Sequence, residues 1–408
     1  MKKFLLVLNV FWMIILLAAS PDGGVVQASV PSNPQESTTI DLNSETGSAS
    51  ALCMPGVYFQ NPGDCMPAGP STYLTQMAEK GILFPITDLP ASKPDASLTY
   101  VDVRYGVVPE RNAPVYASLE DAMGAKKKNA VRKLDSGFTY ISYTQEEVVD
   151  GKRFYMISYG EWMTANDVSR IGTVPLFQGL TFSRTPDHAF GWVLSYLNNG
   201  PVETKHTPGY EVDDYTGHIL QNHELVHVYD TVQVGEIEWY LVGPDEWLPQ
   251  KVVARVIPNT TPPEGVPGDR WIEVNLFEQT LAVYDQGELV FATLIASGID
   301  PFWTQPGLFQ IYVKHESTPM RGSFEADRSD AYYLEDVPWT MYFDQARALH
   351  GAYWRANLGF AQSHGCVNLS VGDSRWIFEW AEEGDWVYVW DPSGTTPTDP
   401  AFYGSGGF

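Results

Sequence analysis

The sequence predicts a mainly β protein, and three features of the chain lead to this prediction. Between residues 100 and 257, short apolar runs rich in Val, Tyr and Phe alternate with clusters of Gly, Asn, Asp and Pro. This pattern is typical of short strands joined by turns. Residues 271–294 alternate apolar and polar side chains on both sides of a turn. An internal repeat with an offset of 85 residues indicates two copies of one small β unit.

The length and the charge of the chain limit its organisation and its partners. At 408 residues it is too long for one ordinary hydrophobic core, so roughly two to four domains are expected. The formal net charge is −25, from 50 acidic and 25 basic side chains. Because nucleic acid and anionic membrane surfaces repel such a chain, neither is expected to be its main partner.

The N-terminus has the pattern of an export signal over residues 1–28. Two lysines precede an apolar run that is broken at Pro21, and Val26-Gln27-Ala28 offers a small-residue cleavage site. An uncleaved anchor is the alternative, although the run is short for a membrane span. Residues 29–51 are rich in Ser, Thr, Asn, Glu and Pro and are expected to form a disordered spacer.

Residues 52–98 are expected to form a small region that contains one disulfide. Cys53 and Cys65 enclose a short Pro/Gly-rich loop, and an oxidising compartment favours their pairing over two idle thiols. This pairing leaves Cys366 as the odd one of three cysteines, and an odd thiol in an exported protein is a candidate for chemistry. Residues 70–84 have the clearest helical pattern in the first half of the chain.

The internal repeat divides the middle of the chain into residues 99–172 and residues 173–257. FYMISYGEWMTANDVSRI in the first copy aligns without a gap with WYLVGPDEWLPQKVVARV in the second. The pattern is similar to that of bacterial Src-homology-three-like barrels, so two small barrel-like repeats are expected. Trp162 and Trp247 occupy the same place in the two copies, which favours a core position over a ligand-stacking role.

Four histidines that lie close together in the second repeat do not match a metal site. They are His206, His218, His223 and His227. Their spacings match no common zinc pattern, and no cysteine or paired acidic motif accompanies them. They are therefore expected to be surface or loop residues, and the sequence predicts neither a metal nor another cofactor.

The last third of the chain begins after a Pro/Gly-rich linker at residues 258–269, which is the cleanest domain boundary in the sequence. Residues 270–391 are predicted to form a mostly β domain. Its expected elements are a hairpin with a turn at residues 285–288, a short helix over residues 375–383 and a final strand over residues 386–390. Residues 392–408 are polar and rich in Gly and Pro, and are expected to form a flexible tail.

The candidate catalytic motif is Ser363-His364-Gly365-Cys366-Val367-Asn368, with His350 sixteen positions upstream. A thiol becomes a nucleophile when a nearby imidazole favours its thiolate, and a glycine lets backbone amides approach a developing oxyanion. A lone cysteine or histidine is more often a buried core residue. Two histidines, a serine and a glycine around one cysteine, in a chain with eight histidines, favour a cysteine acyl-transfer enzyme instead.

This motif resembles the signature of L,D-transpeptidases of the YkuD type, in which a His and a spacer precede Ser-His-Gly-Cys, a hydrophobic residue and Asn or Arg. Residues 271–294 are similar to the opening hairpin of that domain. Residues 304–307, TQPG, resemble its Thr-Pro-x-Gly turn with the proline one place later. The resemblance covers about residues 268–391 and implies a β-sandwich catalytic domain.

The resemblance also implies a mechanism. Cys366 attacks a peptide carbonyl and forms a thioester, and His350 is the base. The backbone carbonyl of Gly351 orients the imidazole, which must present one nitrogen to sulfur and keep its proton on the other. The amides of Gly365 and Cys366 are expected to form the oxyanion hole. His364 is expected to shape the pocket or tune the thiolate.

Other residues of the motif region are assigned to structure or to substrate contact. Ser363 and Asn368 are expected to hold the catalytic loop in shape. The residues expected to contact the substrate are Trp354, Asn368, Tyr333 and Met320. The resemblance also implies that residues 320–321 and 332–342 form a segment that covers the substrate. For each of the aromatic residues, plain core packing is the alternative.

The implied substrates are peptidoglycan stem peptides: a donor tetrapeptide, cut before its terminal D-residue, and an amine acceptor. Water in place of the amine would make the enzyme a carboxypeptidase. The repeats are expected either to contact glycan or to act as a spacer. Other cysteine hydrolases of the cell wall usually place the Cys before the His, so they fit less well. The remaining alternative is a binding protein in which the catalytic domain is only a scaffold.

Overall fold

The computed structural model of the chain describes residues 70–109, 112–134, 138–171, 174, 176–323 and 331–403. The predicted signal sequence, the spacer at residues 29–51, and Cys53 with Cys65 lie outside the described residues. Within those ranges, no helix is long and apolar enough to cross a membrane.

The fold is mainly β, which confirms the predicted class. The first part of the chain contains helix α1 (Pro70–Glu79), strands β1 (Ala91–Ser92), β2 (Arg104–Val107) and β3 (Ala113–Val115), helix α2 (Leu119–Gly124), and strands β4 (Arg132–Leu134), β5 (Phe138–Tyr143), β6 (Gln145–Val149), β7 (Lys152–Ser158), β8 (Glu161–Thr164) and β9 (Ser169–Arg170). The predicted helix over residues 70–84 ends at Glu79 because Gly81 adopts a φ of +83°, and the amide of Ile82 donates back to the Met77 carbonyl.

The middle of the chain adds nine strands. They are β10 (Leu180–Phe182), β11 (Ala189–Val193), β12 (Val202–Lys205), β13 (Tyr215–Leu220), β14 (Leu225–Val228), β15 (Asp230–Val234), β16 (Ile237–Gly243), β17 (Glu246–Pro249) and β18 (Val253–Val256).

The last part of the chain contains nine strands and one helix. They are β19 (Trp271–Asn275), β20 (Thr280–Asp285), β21 (Glu288–Leu294), β22 (Gly307–Gln310), β23 (Val313–Gly322), β24 (Tyr332–Asp344), β25 (Arg347–Gly351), β26 (Val367–Leu369), α3 (Val371–Trp380) and β27 (Trp386–Trp390).

The two repeat copies have the same local order of elements. In each copy a three-stranded meander, β6-β7-β8 or β15-β16-β17, leads through one 3₁₀ turn into a short strand, β9 or β18. Trp162 and Trp247 are both buried in apolar clusters, so they are core residues and do not offer a stacking surface for glycan. The assignment of each whole copy to a Src-homology-three-like barrel stays a prediction.

The strands of the last part form two sheets, and both continue into the preceding segments. One sheet has the order β1-β10-β21-β20-β19-β27-β22. The other has the order β26-β25-β24-β5-β2-β9, with β23 also paired to β24. Strands from the segments on either side of the predicted boundaries at residues 172, 257 and 269 therefore share sheets, and the boundaries stay predictions. Alternation of apolar and polar residues predicts that a strand exists but not which strand it pairs with.

The core of the catalytic region lies between these two sheets and beneath α3. Fully buried side chains from both sheets meet there, including Val283, Phe291, Met341 and Leu349. The hairpin between β20 and β21 turns at Gln286 and Gly287, whose φ angles of 54° and 72° suit the tight turn expected from the sequence. Helix α3 begins four residues earlier than predicted because the Ser370 hydroxyl accepts the amide of Asp373 and caps the helix.

Two segments that were expected to be loose are held by hydrogen bonds. In the predicted linker, the amide of Asn259 donates to the Tyr284 hydroxyl and the Asp269 carbonyl accepts the amide of Gly287. In the predicted flexible tail, Asp391 accepts the amides of Ser393 and Thr396, which closes a turn. The described part of the tail extends to Tyr403, whose ring lies 5.3 Å from the Arg347 guanidinium.

Candidate active site

Two neighbouring parallel strands bring the ends of the catalytic motif together. In β25 and β26, His350 lies opposite Asn368 and Leu349 lies opposite Val367. Cys366 comes immediately before β26, so it lies near His350 although sixteen residues separate them in sequence. A parallel pair needs a crossover connection, and residues 352–366 supply it.

The catalytic loop before β26 is fixed by its own side chains and by a neighbouring turn. The Ser363 hydroxyl accepts the amide of Gly365 (3.1 Å) and donates to the carbonyl of Cys366 (2.6 Å). The Thr304 hydroxyl donates to the Gly365 carbonyl (2.9 Å) and accepts the amide of Gly298 (2.9 Å). The TQPG turn therefore supports the loop through its threonine, a role that the sequence did not reveal.

Gly365 is the position in this loop that requires glycine. Its φ is +117°, a region that other residues rarely adopt, and a Cβ would lie 3.1 Å from Nε of Arg347. Its amide is already used by Ser363. The role of the Gly365 and Cys366 amides as the oxyanion hole stays a prediction.

The sulfur of Cys366 lies between two backbone groups of the neighbouring strand. It donates to the Ala346 carbonyl at 3.7 Å, and the amide of Ala348 donates to it. Burial raises the pKa of the Cys366 thiol, while the Ala348 amide and the Arg347 guanidinium oppose this shift by favouring the thiolate. Because burial dominates, the resting residue is a thiol, and its activation requires a base.

His350 has the surroundings of a neutral base. It is only 2% exposed, and burial lowers its pKa to about 4, so the imidazole is uncharged near neutral pH. Nδ1 lies 3.3 Å from the Gly351 carbonyl, and Nε2 lies 3.5 Å from Nδ2 of Asn368. With the proton on Nδ1, which donates to Gly351, the lone pair of Nε2 is available to accept a proton.

One cavity contains both Cys366 and His350, the predicted nucleophile and base. Its lining residues are Phe138, Met320, Tyr332, Leu334, His350, Trp354, Arg355, Ser363, His364, Cys366 and Asn368. The Trp354 ring lies 5.6 Å from the His350 ring, and His364 stacks on Tyr332 at 5.8 Å and faces Phe302 at 4.9 Å. The site therefore combines a thiol, a neutral imidazole and an aromatic wall.

Comparison with protein families identifies this part of the chain. Residues 269–389 match the family described as YkuD, L,D-transpeptidase catalytic domain. These residues are a YkuD-type L,D-transpeptidase domain. The match ends just before the hydrogen-bonded turn of the tail and includes the whole cavity except Phe138.

Individual relatives of this L,D-transpeptidase domain cover similar shares of the chain. The putative L,D-transpeptidase YciB of Bacillus subtilis is 24% identical over 127 residues, which are 27% of this chain and 59% of the relative. The chain thus matches about three fifths of the length of that curated relative. A crystal structure of an L,D-transpeptidase from Stackebrandtia nassauensis is 28% identical and covers 33% of this chain and 60% of its own, with a TM-score of 0.26. The catalytic domain of the E. faecium L,D-transpeptidase, solved by NMR, is 28% identical and covers 31% of this chain and 100% of its own, with a TM-score of 0.27.

Most residues that the sequence assigned to the site line this cavity of the L,D-transpeptidase domain. They are Cys366, His350, His364, Ser363, Asn368, Trp354 and Met320. Tyr333 does not, and its hydroxyl donates to Glu335 instead. Side chains alternate along β24, so Tyr332 and Leu334 reach the cavity and Tyr333 points to the other face.

The sequence analysis missed two residues that line the cavity, Phe138 and Arg355. Tyr332 and Leu334 also line it, and both lie in the segment 332–342 that the resemblance assigns to substrate cover. The alternation along β24 was a usable signal for Tyr332 and Leu334. Phe138 lies more than 200 positions before Cys366, and no local pattern places it in the site.

Arg355 contributes a fixed positive charge to the cavity of the L,D-transpeptidase domain. Its Nη1 donates to Oε1 of Gln362 at 3.0 Å, and Nη2 donates to the Gln362 carbonyl at 2.6 Å. Nε lies 3.4 Å from Oδ1 of Asn368, and the guanidinium carbon lies 5.7 Å from the centre of the Phe138 ring. Burial lowers the pKa of Arg355, but an arginine remains charged at any pH at which proteins fold.

The described residues contain no group of three or more His, Cys, Asp or Glu side chains placed to hold a metal ion. Two of the clustered histidines of the second repeat have separate partners. Nδ1 of His218 lies 3.0 Å from Glu246, and Nε2 of His227 lies 3.1 Å from the Thr87 carbonyl.

Proposed function

We propose that this chain is an exported L,D-transpeptidase that cross-links peptidoglycan stem peptides through a thioester at Cys366. The observation that carries the proposal is the shared cavity of Cys366 and His350 inside a YkuD-type domain. A partly buried thiol beside a buried, neutral imidazole suits acyl transfer, because the unprotonated nitrogen of the imidazole can accept the thiol proton.

The first half of the proposed reaction acylates the enzyme. Nε2 of His350 takes the proton of the Cys366 thiol, and the sulfur attacks the peptide carbonyl that precedes the terminal D-residue of the donor. The Cys366 amide is the expected donor to the resulting oxyanion. The carbon–nitrogen bond then breaks, and His350 returns its proton to the leaving amine. The products are a thioester and a free D-amino acid.

The second half resolves the thioester. The amine of an acceptor peptide attacks the thioester carbonyl, the carbon–sulfur bond breaks, and the sulfur regains a proton by way of His350. The cavity wall includes the aromatic rings of Phe138, Tyr332 and Trp354, and an apolar wall around the thioester favours an amine over water as the acceptor. Attack by water in the same step is the carboxypeptidase alternative.

The location of the enzyme follows from the same proposal. Peptidoglycan lies outside the cytoplasm, and residues 1–28 carry the sequence pattern of an export signal. We propose that the mature enzyme begins near Ser29 and acts in the cell envelope.

Mass spectrometry of a defined reaction tests the proposed function. The chain from Ser29 onward is incubated with a disaccharide-tetrapeptide, and its Cys366→Ala variant is treated in the same way. We expect loss of the terminal D-residue, an acyl adduct on Cys366 and a dimeric product, all absent in the variant. Loss of the D-residue without a dimer indicates a carboxypeptidase. The absence of both product and adduct contradicts the proposal that the chain is an enzyme acting on this donor.

The role of His350 is tested in the same assay with a matched histidine as control. His350→Gln removes the proposed base and is expected to slow acylation by about 100- to 10,000-fold. His315 is exposed on β23 and does not line the cavity, so His315→Gln is expected to keep the wild-type rate. Equal acylation rates for the two variants would show that His350 is not the base.

A further inference from the structure

Arg355 differs from most of the described arginines in the kind of partner it has. Arg132, Arg255, Arg270 and Arg347 each pair with at least one carboxylate. In the part of the chain that the structure describes, the polar contacts of Arg355 are all with neutral groups, on Gln362 and Asn368. Its charge is therefore not neutralised locally, in a chain with 50 acidic and 25 basic side chains.

The guanidinium is also held in place before any ligand arrives. Gln362 contacts it through both its side chain and its carbonyl, and the Gln362 side-chain amide is fixed in turn by the Asn357 carbonyl at 2.8 Å. Phe138 packs against it from the segment before the catalytic domain. A fixed, incompletely paired guanidinium at a cavity wall is a typical binding group for a carboxylate.

The position of Arg355 relative to the base limits which carboxylate it can bind. The side-chain amide of Asn368 contacts both groups, with Nδ2 3.5 Å from Nε2 of His350 and Oδ1 3.4 Å from Nε of Arg355. The His350 imidazole and the Arg355 guanidinium thus contact the same side-chain amide, that of Asn368. In an amino acid, the nitrogen and the carboxyl carbon are separated by only about 2.5 Å. A residue whose nitrogen lies at His350 therefore has its own carboxylate within reach of Arg355.

We propose that Arg355 binds the free carboxylate of the terminal residue that the donor loses. This inference rests on the proposed function, in which His350 protonates the nitrogen of that same residue. It assigns the enzyme to donors that end one residue beyond the scissile bond. A longer donor, or one with an amidated end, offers no charge at this point. Phe138 makes the segment of the first repeat a part of this subsite.

Two donors that differ only in the terminal charge test the assignment. One is the tetrapeptide with a free C-terminal carboxylate, and the other is the same peptide with a C-terminal amide. With the wild-type chain we expect kcat/KM for acylation to be roughly ten- to a hundredfold higher for the acid, the range typical of a charge-assisted hydrogen-bonded pair. With Arg355→Gln the ratio is expected to fall to about one, and with Arg355→Lys to an intermediate value.

Each variant is its own control for folding, because both donors are measured on the same preparation and only their ratio is compared. Arg184→Gln removes the same charge at an exposed site outside the cavity and is expected to keep the wild-type ratio. Equal wild-type rates for the acid and the amide, or an unchanged ratio in Arg355→Gln, would overturn the role of Arg355 and leave the proposed function intact. Failure of the wild type to form a thioester with either donor would overturn both.

Discussion

The catalytic domain is joined by two preceding segments in the same way, by an added strand, but only one of them reaches the active site. Strand β5 of the first repeat pairs in parallel with β24, whereas β10 pairs antiparallel with β21 in the other sheet. Phe138, the first residue of β5, lines the catalytic cavity. Strand β10 contributes none of the residues that line this cavity.

The contact with the first repeat continues from the cavity into a group of tyrosines and carboxylates. The rings of Tyr105 and Tyr353 stack with centroids 3.5 Å apart, and Tyr353 is the neighbour of the cavity residue Trp354. The amide of Ser142 donates to Oε2 of Glu335 at 2.9 Å, and the Ser142 hydroxyl donates to Asp336. Strand β24 therefore contributes both to the cavity wall and to the packing against the first repeat.

The contact with the second repeat includes an ion pair whose carboxylate is buried. Oε1 of Glu278 accepts Nε of Arg255 at 2.9 Å and the Tyr240 hydroxyl at 2.8 Å. Glu278 is only 2% exposed. A buried pair contributes little net stability but is costly to break on one side. The comparison indicates that the second repeat supports the domain, while the first repeat also completes its cavity.

The largest expected effect comes from breaking the ion pair between Glu278 and Arg255 of the second repeat. Glu278→Ala leaves the largely buried Arg255 side chain, 11% exposed, with only Glu238 as an acidic partner, at 3.2 Å. We expect a loss of about 3 kcal/mol in the free energy of unfolding, measured by chemical denaturation. The acylation rate per folded molecule should remain unchanged. Glu379→Ala, which removes an exposed carboxylate paired with Arg375, is the control and should have little effect. A large loss of activity without a loss of stability in Glu278→Ala would contradict the comparison.

The next expected effect is a pH dependence of the free energy of unfolding, which arises from Glu335 at the contact with the first repeat. Burial raises the pKa of Glu335 to about 7 from its usual 4.5, against the opposing hydrogen bonds from Ser142 and Tyr333. A raised folded-state pKa means that the protonated form is preferred in the folded protein. This stabilisation is complete below pH 4.5 and is lost as the pH rises through 7, at a cost of about 3 kcal/mol.

Glu335→Gln tests this pH dependence, because glutamine cannot ionise and can still accept the Ser142 amide. We expect wild type and variant to differ little in the free energy of unfolding at pH 5, and the variant to be more stable at pH 8.5. Glu273 and Asp373, whose pKa values burial raises to about 7 and about 6, titrate equally in both proteins and cancel in the difference. A difference that does not change with pH would show that Glu335 is not the responsible group.

The smallest expected effects come from replacing one aromatic residue on each of the two added strands, β5 and β10. Phe138→Ala removes a partly exposed ring from the cavity, and kcat/KM for the donor is expected to fall about three- to tenfold with little change in Tm. Phe182→Ala removes a half-buried ring from β10, which packs on Phe190, and is expected to lower Tm while the rate per folded molecule stays the same. If both variants behave alike in the two assays, the distinction between the segments fails.

The sequence by itself determined the fold class, the local elements and the centre of the site. Alternation with a period of two predicted the strands of the β19–β21 hairpin, and Gln286-Gly287 predicted its turn, because these signals act between residues close in sequence. Ser-His-Gly-Cys with an upstream histidine led to the residues that share the cavity, because the motif and its spacing are local too.

Only the tertiary structure decided which strands pair and which side chains complete the cavity. The pairing of β5 with β24 brings Phe138 to Arg355 across more than 200 residues, and no local pattern encodes that partner. The choice of Tyr332 over Tyr333 depended on which face of β24 meets the cavity. Hydrophobic and hydrogen-bonding patterns specify that a face or an edge must be covered, but the cooperative packing of the whole chain selects what covers it.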